Sequence, residues 1–372
     1  MKKILAVCVL LLLSLLVAWW WKGTGEDPRL LRTIDVKTTG DFGAMLSVNP
    51  DGSQFASGIG DWGDNLIIWD SEGFAQKRIT KNHNSLIDIQ SADRSNYATV
   101  TGIVFSPEWD NFVWWRQQNN HLTALGLWRF SGQDEISSLL PERFAGGYSG
   151  VYSVAVSPQG KRIAFHGFNE ETKKLELCLH WPRKLSEEPS GRSKLIAFEG
   201  VSEHDTIRRM AFSPDGDRLL GIGVGHDIYM WDLVDDRLAF TIKNAAGDAT
   251  RYGNDTLVFS PDSKRFALQE EGTDEVVRIR SSLDGSIERE FTMGWGTVCL
   301  GFSPDWKWYA IKNPMSKVLE IHSIEDGRLA HAFKGSDGDF LDAAFSGDSR
   351  RMVTSSRDRL YRIWDLTDLA SP

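Results

Sequence analysis

Gly58-Ile59-Gly60-Asp61-Trp62-Gly63 has the G-x-G-x-x-G spacing that brings backbone close to a dinucleotide pyrophosphate. That chemistry needs a helix N-terminus aimed at the phosphate. Here Asn65–Trp69 follows with strand character, so these are hairpin glycines. Gly221-Ile222-Gly223-Val224-Gly225 holds the same place further along and supports that reading. Gly147-Tyr148-Ser149-Gly150 lacks the last glycine spacing of a nucleophile elbow, and no α/β region follows it. The 8 histidines are dispersed and no H-E-x-x-H is present. His204-Asp205 and His226-Asp227 lie near one rim and are able to pair, a structural role being the stronger reading. Ser336-Asp337-Gly338-Asp339 lacks the calcium-loop pattern that ends in Glu. The expectation is a chain with no catalytic set, no cofactor and no metal site, one that binds rather than catalyses.

What positions such residues is set first by the bulk of the chain. It has 372 residues, 41% hydrophobic and 25% charged, ordinary for globular protein. The net charge is −9, with signs interspersed, so the basic stripe of a duplex-binding surface is missing and no nucleic-acid partner is expected. The 34 glycines suit many tight turns, and of the 15 tryptophans those beyond Trp19, Trp20 and Trp21 are scattered as in a repeat that packs on Trp. Cys178 and Cys299 fall in separate apolar runs with no C-x-x-C, the pattern of buried structural thiols.

Lys2 and Lys3 precede Ile4–Trp21, apolar but for Ser14 and closed by Trp19, Trp20 and Trp21 before Lys22. A basic start, a long apolar run and an indole belt describe a spanning helix. Ala18–Lys22 offers bulky residues where a signal peptidase needs small ones, so an uncleaved signal-anchor over residues 1–22 is favoured, secretion after cleavage being the alternative. With the lysines retained inside, the rest lies outside the cytoplasm, in the periplasm if the chain is bacterial. Residues 23–30 are then a linker and 31–368 the folded domain.

One phrase recurs through that domain: an apolar strand, a turn, a second strand. It runs Val48-Asn49-Pro50-Asp51-Gly52, Phe105-Ser106-Pro107-Glu108, Val156-Ser157-Pro158-Gln159-Gly160, Phe212-Ser213-Pro214-Asp215-Gly216, Phe259-Ser260-Pro261-Asp262, Phe302-Ser303-Pro304-Asp305 and Phe345-Ser346-Gly347-Asp348. Pro presets φ and Asp-Gly accepts turn geometry. In the fourth repeat further strands are expected at Arg218–Ile222, Ile228–Asp232 and Arg237–Lys243. Four strands per repeat compose one antiparallel blade. The last repeat lacks its fourth strand, and Leu31–Val36 precedes the first phrase without a partner; closing a ring requires residues 31–36 to complete the last blade.

The third strands end in Trp69-Asp70, Trp231-Asp232 and Trp364-Asp365, so the chain resembles the WD-repeat family. Arg280-Ser281 and His322-Ser323 depart from the dipeptide, and the family's Gly-His pair is largely missing. The resemblance covers about residues 31–366 and implies an all-β, seven-bladed propeller. It further implies a His–Ser/Thr–Asp–Trp hydrogen-bond network, with Asp227 and Asp358 in the place of its Asp, and binding at the loops between blades and between second and third strands. On this chain that rim would carry Trp62, Tyr148, His204, His226, Tyr252, Trp295 and Arg357. Aromatic and Arg side chains are typical interface anchors. Lys81–Tyr97 is the largest insertion, and Asn254-Asp255-Thr256 has the form of a glycosylation acceptor. The expected function is a non-catalytic scaffold for an unidentified protein partner, held at the membrane by its N-terminal helix. The alternative is a small-molecule or glycan enzyme or binder using a central pocket.

Overall fold

The computed structural model describes residues 27–35, 46–49, 51–59, 65–70, 75–80, 98–105, 111–118, 121–129, 137–138, 148–158, 162–169, 172–181, 192–196, 201, 205–245, 257–270, 275–294, 296–313, 318–334 and 340–369. Calls on 1–22, Trp62, Lys81–Tyr97, His204, Tyr252, Asn254–Thr256, Trp295 and Ser336–Asp339 lie outside them. Among the described residues no helix is long and apolar enough to cross a membrane.

The strands are β1 (Leu30–Asp35), β2 (Leu46–Val48), β3 (Gln54–Ile59), β4 (Asn65–Asp70), β5 (Ala75–Thr80), β6 (Ala98–Phe105), β7 (Asn111–Gln118), β8 (His121–Arg129) and β9 (Ser137–Ser138). They continue as β10 (Tyr148–Val156), β11 (Ile163–Asn169), β12 (Lys174–Trp181), β13 (Arg192–Ile196), β14 (Ile207–Phe212), β15 (Arg218–Gly223), β16 (Ile228–Asp232), β17 (Arg237–Ile242), β18 (Leu257–Phe259) and β19 (Arg265–Glu270). The last are β20 (Val276–Ser281), β21 (Ile287–Thr292), β22 (Val298–Phe302), β23 (Trp308–Asn313), β24 (Val318–Ser323), β25 (Leu329–Lys334), β26 (Phe340–Phe345), β27 (Arg351–Ser356) and β28 (Leu360–Asp365). Among the described residues they form seven four-stranded sheets, β2–β5, β6–β9, β10–β13, β14–β17, β18–β21, β22–β25 and finally β26–β27–β28–β1, taken below as first to seventh. Within each, neighbouring strands are antiparallel.

The turns explain why the phrase repeats. Ser213 N donates to Arg218 O, Gly216 N to Ser213 O, and Arg218 N to Ser213 Oγ, whose hydroxyl in turn donates to Asp215 Oδ1 at 2.6 Å. Ser260 with Asp262, Ser303 with Asp305 and Ser346 with Asp348 repeat the same pattern. The turn's fourth residue lies in the left-handed region: Gly52 and Gly216, but also Ser263, Trp306 and Ser349, φ 58 to 77° throughout. Glycine relieves the strain there; the other three hold that conformation without it. A bulge also recurs where the third strand meets the fourth, at Ile68/Trp69, Met230/Trp231, Ile279/Arg280 and Ile321/His322. In the seventh sheet the register of β1 on β28 slips between Leu30 and Arg32, beside Ile363 and Trp364, so β1 occupies the fourth-strand position in detail. An extra residue there sharpens the twist of these five sheets.

The core lies between sheets. Inner strands such as β15, β19 and β27 are buried along nearly their whole length, because both faces are covered. The outer β21 is exposed over most of its length. Buried clusters join the third sheet to the fourth, the fourth to the fifth, the fifth to the sixth and the sixth to the seventh. Another joins the seventh to the first, packing Tyr361 and Val353 on Phe55 and Trp69. Leu46 N donates to Asp342 Oδ2 at 3.0 Å across that seam. The turns repeat the closure: Arg218 Nη1 reaches Ser263 O of the next sheet, and Arg351 Nη1 reaches Gly52 O of the first at 2.9 Å.

Candidate interaction face

Antiparallel order sends the two kinds of connection to opposite ends of each sheet. At one end, the turn after the first strand and the turn after the third bond to each other: Leu233 N to Asp217 O, Ser282 N to Lys264 O, Ile324 N to Lys307 O and Leu366 N to Arg350 O, each 2.8 Å. We call this the turn end. At the other, the loop end, the hairpin after the second strand meets chain arriving from the previous sheet. Val224 N donates to Thr206 O at 2.8 Å, and Gly225 N to Asp205 Oδ1 at 2.9 Å.

The loop end of the fourth sheet is the best-defined polar cluster. Tyr229, buried in β16, donates its hydroxyl to Asp205 Oδ2 at 2.7 Å and lies 3.2 Å from Asp227 Oδ2. Asp227 also accepts from Lys243 Nζ at 2.7 Å and Asn244 N at 2.8 Å, and Lys243 stands over the Tyr229 ring. Burial raises the Asp227 carboxyl, but the Lys243 and Asn244 bonds outweigh it and hold the group below the ordinary carboxylate range. Burial first, and the Asp205 carboxylate next, push the Tyr229 hydroxyl upward, so it stays a proton donor. Gly223 makes this possible: a Cβ there would lie 2.0 Å from Asp205 Oδ2. The glycine at 223 in the Gly-x-Gly-x-Gly run thus has a named cause, the close approach of a carboxylate.

His226 sits in this hairpin at φ 67°, its carbonyl accepting from Ala245 N. Arg357 is exposed in the corresponding hairpin of the seventh sheet, between Ser356 and Arg359. Tyr148 opens β10, paired with Asn169. Asp227 and Asp358 both lie in hairpins, yet differ in partners: Asp358 accepts from Ser356 Oγ and from Arg362 Nη2, each within 2.7 Å.

Among the described residues, the Trp leg of the expected network is made in the first and seventh sheets. Trp69 Nε1 donates to Ser57 Oγ at 2.8 Å and Trp364 Nε1 to Thr354 Oγ1 at 2.9 Å. In the fourth sheet the matching position is Gly221, where a Cβ would come 2.7 Å from the Trp231 ring, so the ring itself occupies that space. The fifth sheet replaces the Trp with Arg280, which pairs with fully buried Glu270 together with Arg278. In the sixth His322 takes the position, stacked on Tyr309 and bonded to Glu320 and Gly327 O. These substitutions were visible as departures from Trp-Asp, but their partners lie in other strands and carry no local signal. Cys178 and Cys299 are unbridged and buried, and desolvation pushes both thiols up to about 12. Among the described residues no three His, Cys, Asp or Glu side chains converge as a metal site.

Residues 196–232 and 327–365 match the family described as WD domain, G-beta repeat. Each match runs from the end of one sheet through the third strand of the next, so the repeat in sequence is offset from the sheet in space. The chain is similar in structure to the β-propeller domain of Cps50 (Swd1) from Myceliophteria thermophila, with TM-score 0.63 and 15% identity, covering 92% of this chain and 100% of that one. A chain in the crystal structure of a mitotic checkpoint complex is similar at TM-score 0.62 and 14% identity, covering 92% and 94%. The sequence is 23% identical over 334 residues to apoptotic protease-activating factor 1 of Rattus norvegicus, covering 88% of this chain but 22% of that protein. The class is therefore an all-β protein of four-stranded antiparallel sheets with the propeller fold. Its particular mark is the WD-type repeat carried in two stretches.

Proposed function

We propose that this chain is a seven-bladed WD-repeat propeller acting as a non-catalytic scaffold for a protein partner. It is held outside the cytoplasm by residues 1–22 and offers its loop end to that partner. The observation that carries the reading is the asymmetry of the two ends in the fourth to seventh sheets; in the third, the connection between Trp181 and Arg192 also lengthens the turn end. At the turn end of the fourth to seventh sheets, short turns are bonded within and between sheets. The long connections between Thr80 and Ala98 and between Ile242 and Leu257 leave from the loop end. Recognition concentrates on loops borne by a rigid scaffold. Asp205, Tyr229 and Asp227 lock the base of one such loop, so a neighbouring side chain is presented with little loss of freedom on binding. A fold shared with a chain of a multi-protein complex is consistent with this use. The acidic balance, −9, argues against a nucleic-acid partner.

Proximity labelling tests it. A ligase fused to the full chain is compared in the native form and in a His226→Glu/Arg357→Glu variant, with Glu288→Lys/Thr292→Lys on the exposed outer strand β21 as control. The expected result is a set of labelled proteins that loses members in the loop-end variant and keeps them in the control. Identical sets in all forms would defeat the proposal. Carbonate extraction of membranes checks the anchor separately, since a spanning helix stays in the pellet.

A further inference from the structure

We infer that the turn end lies against the lipid surface, so that the same face stitched by the short turns is a membrane-contact surface. This rests on residues 1–22 being a membrane anchor, and adds to it which side of the domain meets the bilayer.

The first observation is where the tether is fastened. Asp27 Oδ2 lies 3.0 Å from His331 Nε2 of β25, and its backbone oxygen accepts from Leu30 N at 2.8 Å. Arg29 donates to Asp365 O at 3.2 Å and to Asp368 O at 2.8 Å, and Asp365 N returns a bond to Arg29 O. Asp365 ends the third strand of the seventh sheet and Asp368 follows it, so Asp27–Arg29 is pinned at the turn end, between the sixth and seventh sheets. The stretch from Trp21 to Asp27 reaches at most about 21 Å fully extended. An indole belt at the headgroups therefore keeps this edge of the domain close to the bilayer.

The second observation is independent of the tether. Of the large apolar side chains exposed among the described residues, Leu283 (73%) and Val234 (70%) project from third-strand turns, and Leu31, Ile287 and Leu329 from the adjoining starts of fourth strands. All five belong to the turn end; Val224 lies at the loop end and Leu195 along an outer strand. Charges of both signs surround them: Lys264, Lys307 and Arg350 hold the first-turn place that Asp217 holds in the fourth sheet, and Asp235, Glu325, Asp326, Asp348 and Asp368 are exposed at the same end. Asp262 and Asp284 are turned back onto their own serines and backbone N–H groups. Lys307 and Arg328 keep an aspartate of their own turn. The apolar tips are what this end offers to the acyl region of a lipid interface, the charges between them being of both signs.

The test uses the full chain with Cys8→Ser and one reporter cysteine at a time: Leu283→Cys or Val234→Cys at the turn end, Val224→Cys or Arg357→Cys at the loop end. The buried thiols at 178 and 299 stay unlabelled. Each form, carrying an environment-sensitive fluorophore, is reconstituted into phosphatidylcholine–phosphatidylglycerol vesicles with a headgroup quencher, and flotation is scored in parallel. The expected result is flotation, with most emission lost at 283 and 234 and little at 224 and 357. Flotation with equal quenching at both ends, with stronger quenching at the loop end, or with none at 283 and 234 overturns the inference and leaves the anchor standing. Failure to float overturns both.

Discussion

Glu270→Gln should be among the most damaging conservative changes in the chain. The substitution keeps the side chain's size but removes the carboxylate that two guanidinium groups share. Arg280 donates Nε and Nη2 to it at 2.5 and 2.8 Å, and Arg278 donates Nη1 at 2.9 Å. Glu270 is fully buried and Arg280 is 7% exposed, its remaining bond going to Gly285 O. Removing one member of such a pair leaves a buried charge uncompensated, at a cost of about 3–5 kcal/mol. Arg278 keeps Glu290 at 2.6 Å and is partly solvated, so the loss comes mainly from Arg280. A thermal melt of the detergent-solubilised full chain should fall by roughly 5–15 °C. A companion variant, Glu270→Leu/Arg280→Trp, removes both charges. It restores the residue type of Trp69, Trp231 and Trp364, which face Phe55, Leu219 and Met352 as Arg280 faces Phe266. It should recover most of the loss. A single variant losing under about 1 kcal/mol, the range of a surface pair, or a double variant worse than the single one, would refute the reasoning.

Gly223→Ala should destabilise by about 3 kcal/mol, because its Cβ displaces the Asp205 carboxylate from Gly225 N and Tyr229. Gly294→Ala, at φ 93° with open space around it, should lose only about 1 kcal/mol, and equal melts for the two would sink the distinction. Stability should decline as pH falls below the ordinary carboxylate value of 3.8. Serine or threonine hydroxyls hold Asp51, Asp262 and Asp365 lower in the folded chain, so their contribution is complete above that value and disappears as pH drops through the depressed ones. Asp262→Asn should shallow that decline, as read by urea titrations across the acid range. In the folded chain Cys178 and Cys299 should resist a disulfide reagent at pH 8 and react on unfolding; fast native labelling of either would contradict their burial.

Much of the architecture is legible because it is local. The Ser-Pro-Asp phrase makes its bonds within a few residues, and the fourth-repeat strands observed at Arg218–Gly223, Ile228–Asp232 and Arg237–Ile242 lie within a residue of where alternation and turn residues place them. The candidate rim was less legible. His226 and Arg357 could be assigned to hairpins, but the Asp205–Tyr229–Asp227 junction that supports His226 joins residues far apart in sequence.

By itself, then, the sequence determined the four-strand period, the turn chemistry and the Trp-bearing third strands, since each arises from propensities and hydrogen bonds among near neighbours. Only the tertiary structure decided the register in which Leu30–Asp35, expected to complete the last sheet, meets Leu360–Asp365, that Arg280 and His322 replace Trp by recruiting partners in other strands, and that Asp27–Arg29 is fastened at the turn end. Those outcomes depend on which surfaces meet after the sheets stack, a matter of long-range packing and desolvation.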